Sequence, residues 1–169
     1  MKIQFLYSSK SGNTKRLVEG LASKMNPAVE AVAIETMAHL PQADLYVVGS
    51  WIDKAKPNGA VLDKLSLFDG KPLYMVATLA ADKDSDHSAK CLEHIAEAST
   101  QAKLIGSQMV QGSLAPSFIE WMATLPEDNP HALTPKKKAR YDRNMGRPNQ
   151  DDIEDAWTHL DKSISEWSK

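Results

Sequence analysis

Apolar residues fall along the chain in short blocks whose period alternates between that of a strand and that of a helix, with polar breaks between them. Lys2 to Tyr7 is a compact β-prone run. After a polar loop, Leu17, Val18, Leu21, Ala22 and Met25 recur at helical spacing until Asn26-Pro27 ends the pattern. Ala28 to Ile34 predicts a weak second strand. Asp44-Leu45-Tyr46-Val47-Val48-Gly49 predicts a strong third one, almost continuously apolar, as expected of a parallel strand covered on both faces. A polar loop from Ser50 to Gly59 leads to a short helix with Val61, Leu62, Leu65 and Phe68 on one face, closed by Asp69-Gly70. Lys71 to Leu79 predicts a fourth strand, Ala89 to Ala98 a helix buried through Leu92, Ile95 and Ala96, and Lys103 to Val110 a fifth strand.

From Ser113 to Gln150 the periodicity loosens. A short helix is expected around Phe118-Ile119-Glu120-Trp121-Met122, followed by a stretch broken by Pro126, Pro130, Pro135 and Pro148. Connections this long are usually functional or extended. The last helix is clear, because Ile153, Ala156, Trp157, Leu160, Ile164 and Trp167 follow the helical period. Strands alternating with helices predict an α/β fold, an open parallel sheet of five strands with helices on both faces and right-handed crossovers.

Length and composition narrow the class. The 169 residues suit one domain, and 42% hydrophobic with 25% charged residues is ordinary for a globular chain. Ile3 to Tyr7 is too short for a signal-peptide core, and no stretch approaches the roughly 20 apolar residues of a membrane helix, so a cytoplasmic location is expected. The single cysteine, Cys91, excludes an internal disulfide, a Cys-x-x-Cys pair and a four-cysteine iron–sulfur cluster held by this chain alone. Any redox chemistry must therefore rest on another cofactor.

The formal net charge of −2 sets up no global field that would favour nucleic acid or an anionic membrane. Charge is nonetheless uneven. Lys136 to Arg147 holds six basic residues against one acidic, whereas Asp151-Asp152-Ile153-Glu154-Asp155 is sharply acidic. A solvated loop is the expected form of the basic segment; docking of an acidic partner, or covering of a substrate site, is the functional alternative. Tyr141 alone interleaves too little aromatic surface for nucleic acid. Gly146 to Asp152 reads as a turn followed by an acidic helix cap.

In an open α/β sheet, ligands bind beyond the carboxyl ends of the strands, where strand order reverses. Three loops leave those ends: residues 8 to 14, 50 to 59 and 78 to 88. The first, Ser8-Ser9-Lys10-Ser11-Gly12-Asn13-Thr14, joins small hydroxyl residues and a glycine to a helix start. Main-chain N–H groups, hydroxyls and a helix N-terminus hold a phosphate monoester with few or no cations. The Gly-Lys-Ser/Thr of a Walker loop is missing, and Gly12 alone does not make a dinucleotide turn, which leaves a mononucleotide. A plain turn with a helix cap is the structural alternative.

His87, Cys91 and His94 are spaced for one helix face and raise the thought of a soft metal. Leu92 and Ile95 mark the buried side, no fourth ligand is evident, and no metal is expected. No Gly-x-Ser-x-Gly elbow is present and the five histidines are scattered, so no catalytic residue is expected either.

The Ser8 to Thr14 loop resembles the Ser/Thr-x-Thr-Gly-Asn-Thr phosphate loop of the flavodoxins, directly after the first strand as in that family; Lys10 and Ser11 depart from the pattern. The order of elements is similar over roughly residues 1 to 112 and 151 to 169. The resemblance implies the three-layer flavodoxin-like fold with strand order 2-1-3-4-5, and FMN as cofactor. It implies that Ser50, Trp51, Ile52 and Asp53 approach the isoalloxazine ring, with Trp51 stacking on it; packing of Trp51 on a neighbouring helix is the structural alternative. Asn58 and Gly59 would allow a main-chain rearrangement on flavin reduction, although Asn-Gly is commonly just a turn. Thr78, Leu79, Ala80, Ala81 and Asp82 stand where the family places its second flavin loop, here without the tyrosine many members stack there. Acidic residues in that loop would disfavour an anionic reduced flavin by repulsion unless they are simply solvated.

Electron transfer between reductase and acceptor proteins is the function this implies, in a monomer or weak dimer. A flavodoxin-like oxidoreductase acting directly on a quinone or tetrapyrrole, with residues 113 to 150 beside the substrate, is the second reading. An interaction module that has lost its flavin is the third.

Overall fold

The computed structural model describes all residues, Met1–Lys169. Strands are β1 (Ile3–Tyr7), β2 (Ala31–Ala33), β3 (Leu45–Asp53), β4 (Lys56–Pro57), β5 (Pro72–Leu79) and β6 (Lys103–Gln111). Helices are α1 (Asn13–Ser23), α2 (Gly59–Leu62), α3 (Asp86–Ala98), α4 (Pro116–Ala123), α5 (Pro135–Arg143) and α6 (Gln150–Trp167). Five strands form a parallel sheet in the order β2-β1-β3-β5-β6, which is the expected 2-1-3-4-5; the two-residue β4 pairs antiparallel with the end of β3.

Strand alternation sends consecutive residues to opposite faces. Phe5, Val47, Tyr74, Val76 and Val110 pack with Leu17, Val18 and Leu21 of α1 and with Ile153, Ala156 and Leu160 of α6. Leu6, Val48, Met75, Ala77 and Met109 pack with Val61, Phe68 and with Cys91 and Ile95 of α3 on the other face. Both faces are thus covered, as the apolar runs of β3 and β5 predict. The buried Tyr74 hydroxyl shares a 2.7 Å hydrogen bond with Nδ1 of His159, tying α6 to the sheet. No helix is long and apolar enough to cross a membrane.

Three expectations need correction. The segment from Ser50 onward is not a loop: β3 continues to Asp53 and turns back through Lys54 and Ala55, both at positive φ (49° and 65°), into β4. Two positive-φ central residues make the hairpin turn whose twist suits its strands, and neither residue type signals it. The helix expected over Val61 to Phe68 divides into α2 and a 3-10 turn over Leu65–Phe68. In so short a segment few helical bonds cooperate, and the tighter i→i+3 pattern still buries Val61 and Phe68. The basic segment expected as a solvated loop forms α5, with the Thr134 side chain accepting from the Lys137 N–H at its start and Pro135 in its first turn. The short helix expected around Phe118 is present as α4, and the cap expected before α6 is a capping box between Asn149 and Asp152.

Gly49 sets the distance between α1 and the sheet. A Cβ built there lies 2.3 Å from Cγ2 of Val18 and 3.0 Å from Cγ2 of Thr14. Gly49→Ala is therefore expected to destabilise the protein by about 1–3 kcal/mol through overpacking, read as a lower urea midpoint; an unchanged midpoint contradicts this close contact.

Candidate functional site

Strand order reverses between β1 and β3, and the carboxyl ends of β1, β3, β5 and β6 open there into a cleft of about 420 Å³. Lys10, Ser11 and Asn13 form its polar end. Trp51 and Ile52 of β3, with Thr78, Leu79 and Ala80 at the end of β5, form one wall. Gly112, Ser113, Leu114 and Ala115, with Phe118 of α4, form another.

At the polar end the chain enters α1 through Gly12, whose φ of 88° suits glycine, and no side chain caps the helix. The first-turn N–H groups of this 11-residue helix stand open, which favours an anion. The loop is held from behind. Ser9 Oγ accepts from the Gly12 N–H (3.1 Å), and the buried hydroxyls of Thr14 and Thr78 bond each other at 2.9 Å. Asn13 Nδ2 donates to the Ser113 carbonyl at 2.7 Å.

Ser8, Ser50 and Asn58 are buried and do not line the cleft. Ser8 Oγ donates to Glu35 Oε1 at 2.5 Å and accepts from Asn58 Nδ2 at 2.8 Å; Ser50 Oγ donates to Asn58 Oδ1 at 2.7 Å. Together they brace the ends of β1 and β3. Gly59 opens α2, and Asp53 is exposed at the hairpin turn; neither lines the cleft.

Trp51 is half-buried, with Lys10 Nζ 5.5 Å from its ring centroid, a cation–π contact. Ala81 and Asp82 lie just beyond the cleft. Asp82 pairs with Arg143 of α5 at 3.1 Å and Asp84 with Lys83 at 2.8 Å, so two carboxylates of this loop sit beside cations. His94 Nδ1 lies 2.8 Å from the Ala55 carbonyl oxygen, and the buried Cys91, its thiol pKa pushed up by desolvation, lies 3.7 Å from His87 Nε2. No three His, Cys, Asp or Glu side chains are grouped to hold a metal.

Sequence reasoning missed the wall built after β6. The signal was present, since Gly112 to Ala115 leave a carboxyl strand end just as the other three loops do. Gln111 was missed as well: buried, it donates to the carbonyls of Ala81 and Gly112 (3.0 Å each) and accepts from the Lys83 N–H, which shapes the loop after β5. Nothing local marks that role.

The segment between β6 and α6 is fastened at both ends beside α1. The N–H and Oγ of Ser113 donate to the Arg147 carbonyl at 3.0 and 2.9 Å, and Arg147 Nε donates to Asp152 Oδ2 at 2.8 Å. Burial alone would raise the Asp152 carboxyl pKa; the Arg147 guanidinium and the Asn149 N–H outweigh it and hold the group below the usual carboxylate range.

The sequence model of the flavodoxin domain family matches residues 4–160. The chain belongs to that family. Among solved structures, a Lactobacillus acidophilus NCFM flavoprotein in complex with FMN is 17% identical, with 64% of this chain and 92% of that one covered and a TM-score of 0.50. A Bacteroides uniformis ATCC 8492 protein is 13% identical, with 73% and 98% covered and a TM-score of 0.53. At such identities these neighbours show the fold, and they agree with the strand order above. No curated protein matches the chain.

The depressed Asp152 pKa fixes the sign of a pH effect. Its ion pair stabilises the fold above the unfolded carboxyl value of about 3.9 and stops doing so as pH falls through the lower folded value. Asp152→Asn is expected to cost about 1–3 kcal/mol at neutral pH, a gap to wild type that narrows below about pH 4. Urea unfolding at pH 7 and pH 3 measures both; an equal gap at the two values removes the charge from the account.

Proposed function

We propose that the cleft binds FMN non-covalently and that the protein passes electrons between redox partner proteins. One observation carries this reading: an uncapped helix N-terminus stands at one end of a cleft whose walls hold an indole and several aliphatic side chains. The donor set fits the cofactor. The N–H groups at the start of α1, with the hydroxyl of Ser11 and the ammonium of Lys10, take the phosphate end. Trp51, Ile52, Leu79, Ala80 and Leu114 present apolar surface to a flat ring. Ser8, Ser50, Asn58 and Thr14 act from behind by fixing the strand ends and the loop.

Bound flavin would supply the one- and two-electron chemistry. The chain's own residues bind it, orient it and set the charge around it. The pairing of Asp82 with Arg143 and of Asp84 with Lys83 reduces the negative field expected from that loop. The cytoplasmic location expected from the sequence accompanies this reading.

One observation favours direct action on a small substrate. The segment after β6 walls the cleft with Leu114, Ala115 and Phe118, and Phe118 is 45% exposed. Turnover of a soluble quinone by the FMN-loaded protein, with a dye as its only redox partner, decides for the oxidoreductase; no turnover decides for the carrier.

Fluorescence titration of the apoprotein with FMN is expected to show saturable, stoichiometric quenching; no binding removes the proposal. Trp51→Ala is expected to weaken binding by about 1–3 kcal/mol, roughly 5- to 150-fold in Kd. An unchanged Kd in that titration takes stacking away from Trp51.

A further inference from the structure

We propose that α5 and the neighbouring exposed aromatic pair of α4 form the docking face for an acidic redox protein, which receives electrons from the adjoining cleft. This rests on the FMN reading above and names its partner's chemistry. Helix α5 carries five basic residues and one acidic, a net +4 in a chain of formal net charge −2, so everything outside it sums to −6. A field of that asymmetry steers a negatively charged partner to one place on an otherwise anionic surface.

Location ties the charge to the cleft. Arg143, at the end of α5, is held on Asp82, two residues beyond the cleft-lining Ala80. Helix α4 contributes Phe118 to the cleft itself. The chain leading into α5 is tied to α4, the Leu133 N–H donating to the Met122 carbonyl. Tyr141 and Asn144 are buried and anchor α5, while Lys136, Lys138 and Arg143 are exposed.

The surrounding surface has interface character as well as charge. Phe118 and Trp121 are each 45% exposed, with ring centroids 5.0 Å apart, and Met145 just after α5 is 66% exposed. Aromatic residues, methionine and arginine are the types enriched where proteins meet. Phe118 lines the cleft as well as this face, so an occupant here sits at the electron source, which favours a redox protein over an anionic membrane.

Cytochrome c and its succinylated, acidic form serve as probes that differ mainly in charge. Each FMN reduced beforehand by dithionite gives up two electrons, one to each of two ferric haems, and its protons go to solvent. The FMN-loaded wild type is expected to reduce the succinylated form faster than the native form. Raising salt should slow the succinylated reaction by roughly tenfold. Lys136→Glu/Lys138→Glu should abolish that preference while FMN affinity and the circular dichroism spectrum stay unchanged, with Lys136→Gln/Lys138→Gln in between.

Faster reduction of native cytochrome c by the wild type overturns the inference, as does a preference that survives the double charge reversal. So does phosphatidylserine-vesicle binding that the reversal removes while the cytochrome rates stay the same. Absence of FMN binding in the preceding titration overturns the cofactor reading and this inference together, and is distinguished by that separate measurement.

Discussion

Close packing of α1 on β3 at Gly49 determines where a helix N-terminus meets the carboxyl edge of the sheet. Val18 and Thr14 occupy the space a side chain would need, so α1 lies against the strand and its open first turn stands at the reversal of strand order. The Thr14–Thr78 hydrogen bond then joins the start of α1 to the end of β5. An anion-favouring terminus and an apolar cleft become neighbours through these contacts, and the FMN reading depends on that adjacency.

Behind the cleft, buried polar groups bond one another. Ser8, Glu35, Asn58 and Ser50 form one network and Gln111 with the chain after β5 another. A buried polar group without a partner costs about 1–3 kcal/mol, so each network constrains the strand ends it bridges. The residues in them share composition with the cleft lining, hydroxyls and amides at strand ends, but their hydrogen-bonding capacity is used inward.

The segment between β6 and α6 adds a wall and a charged face to this frame. Its fastening at Ser113, Arg147 and Asp152 lies beside the start of α1, α4 adds Phe118 to the cleft wall, and the Asp82–Arg143 pair offsets an acidic loop with a basic helix. An almost neutral chain thereby carries opposite charges in separate regions, a distribution that bears on partner choice more than its net value does.

The sequence by itself determined the order of the five parallel strands and of α1, α3, α4 and α6, because burial on one or two faces imposes a period that can be read along the chain; β4 and α5 stand where it predicts loops. It also marked Ser8 to Thr14 as a loop before a helix and Trp51 as an indole at a strand end, both of which the fold brings to one place. Only the tertiary structure decided which of those residues face the cleft. Ser8, Ser50 and Asn58 turn inward, since their partners lie up to 50 residues away and are supplied by strand order, which periodicity does not encode. The wall after β6, the role of Gln111 and the meeting of Arg143 with Asp82, 61 residues apart, belong to the same class. Each is a contact between chain segments that only the assembled sheet makes neighbours.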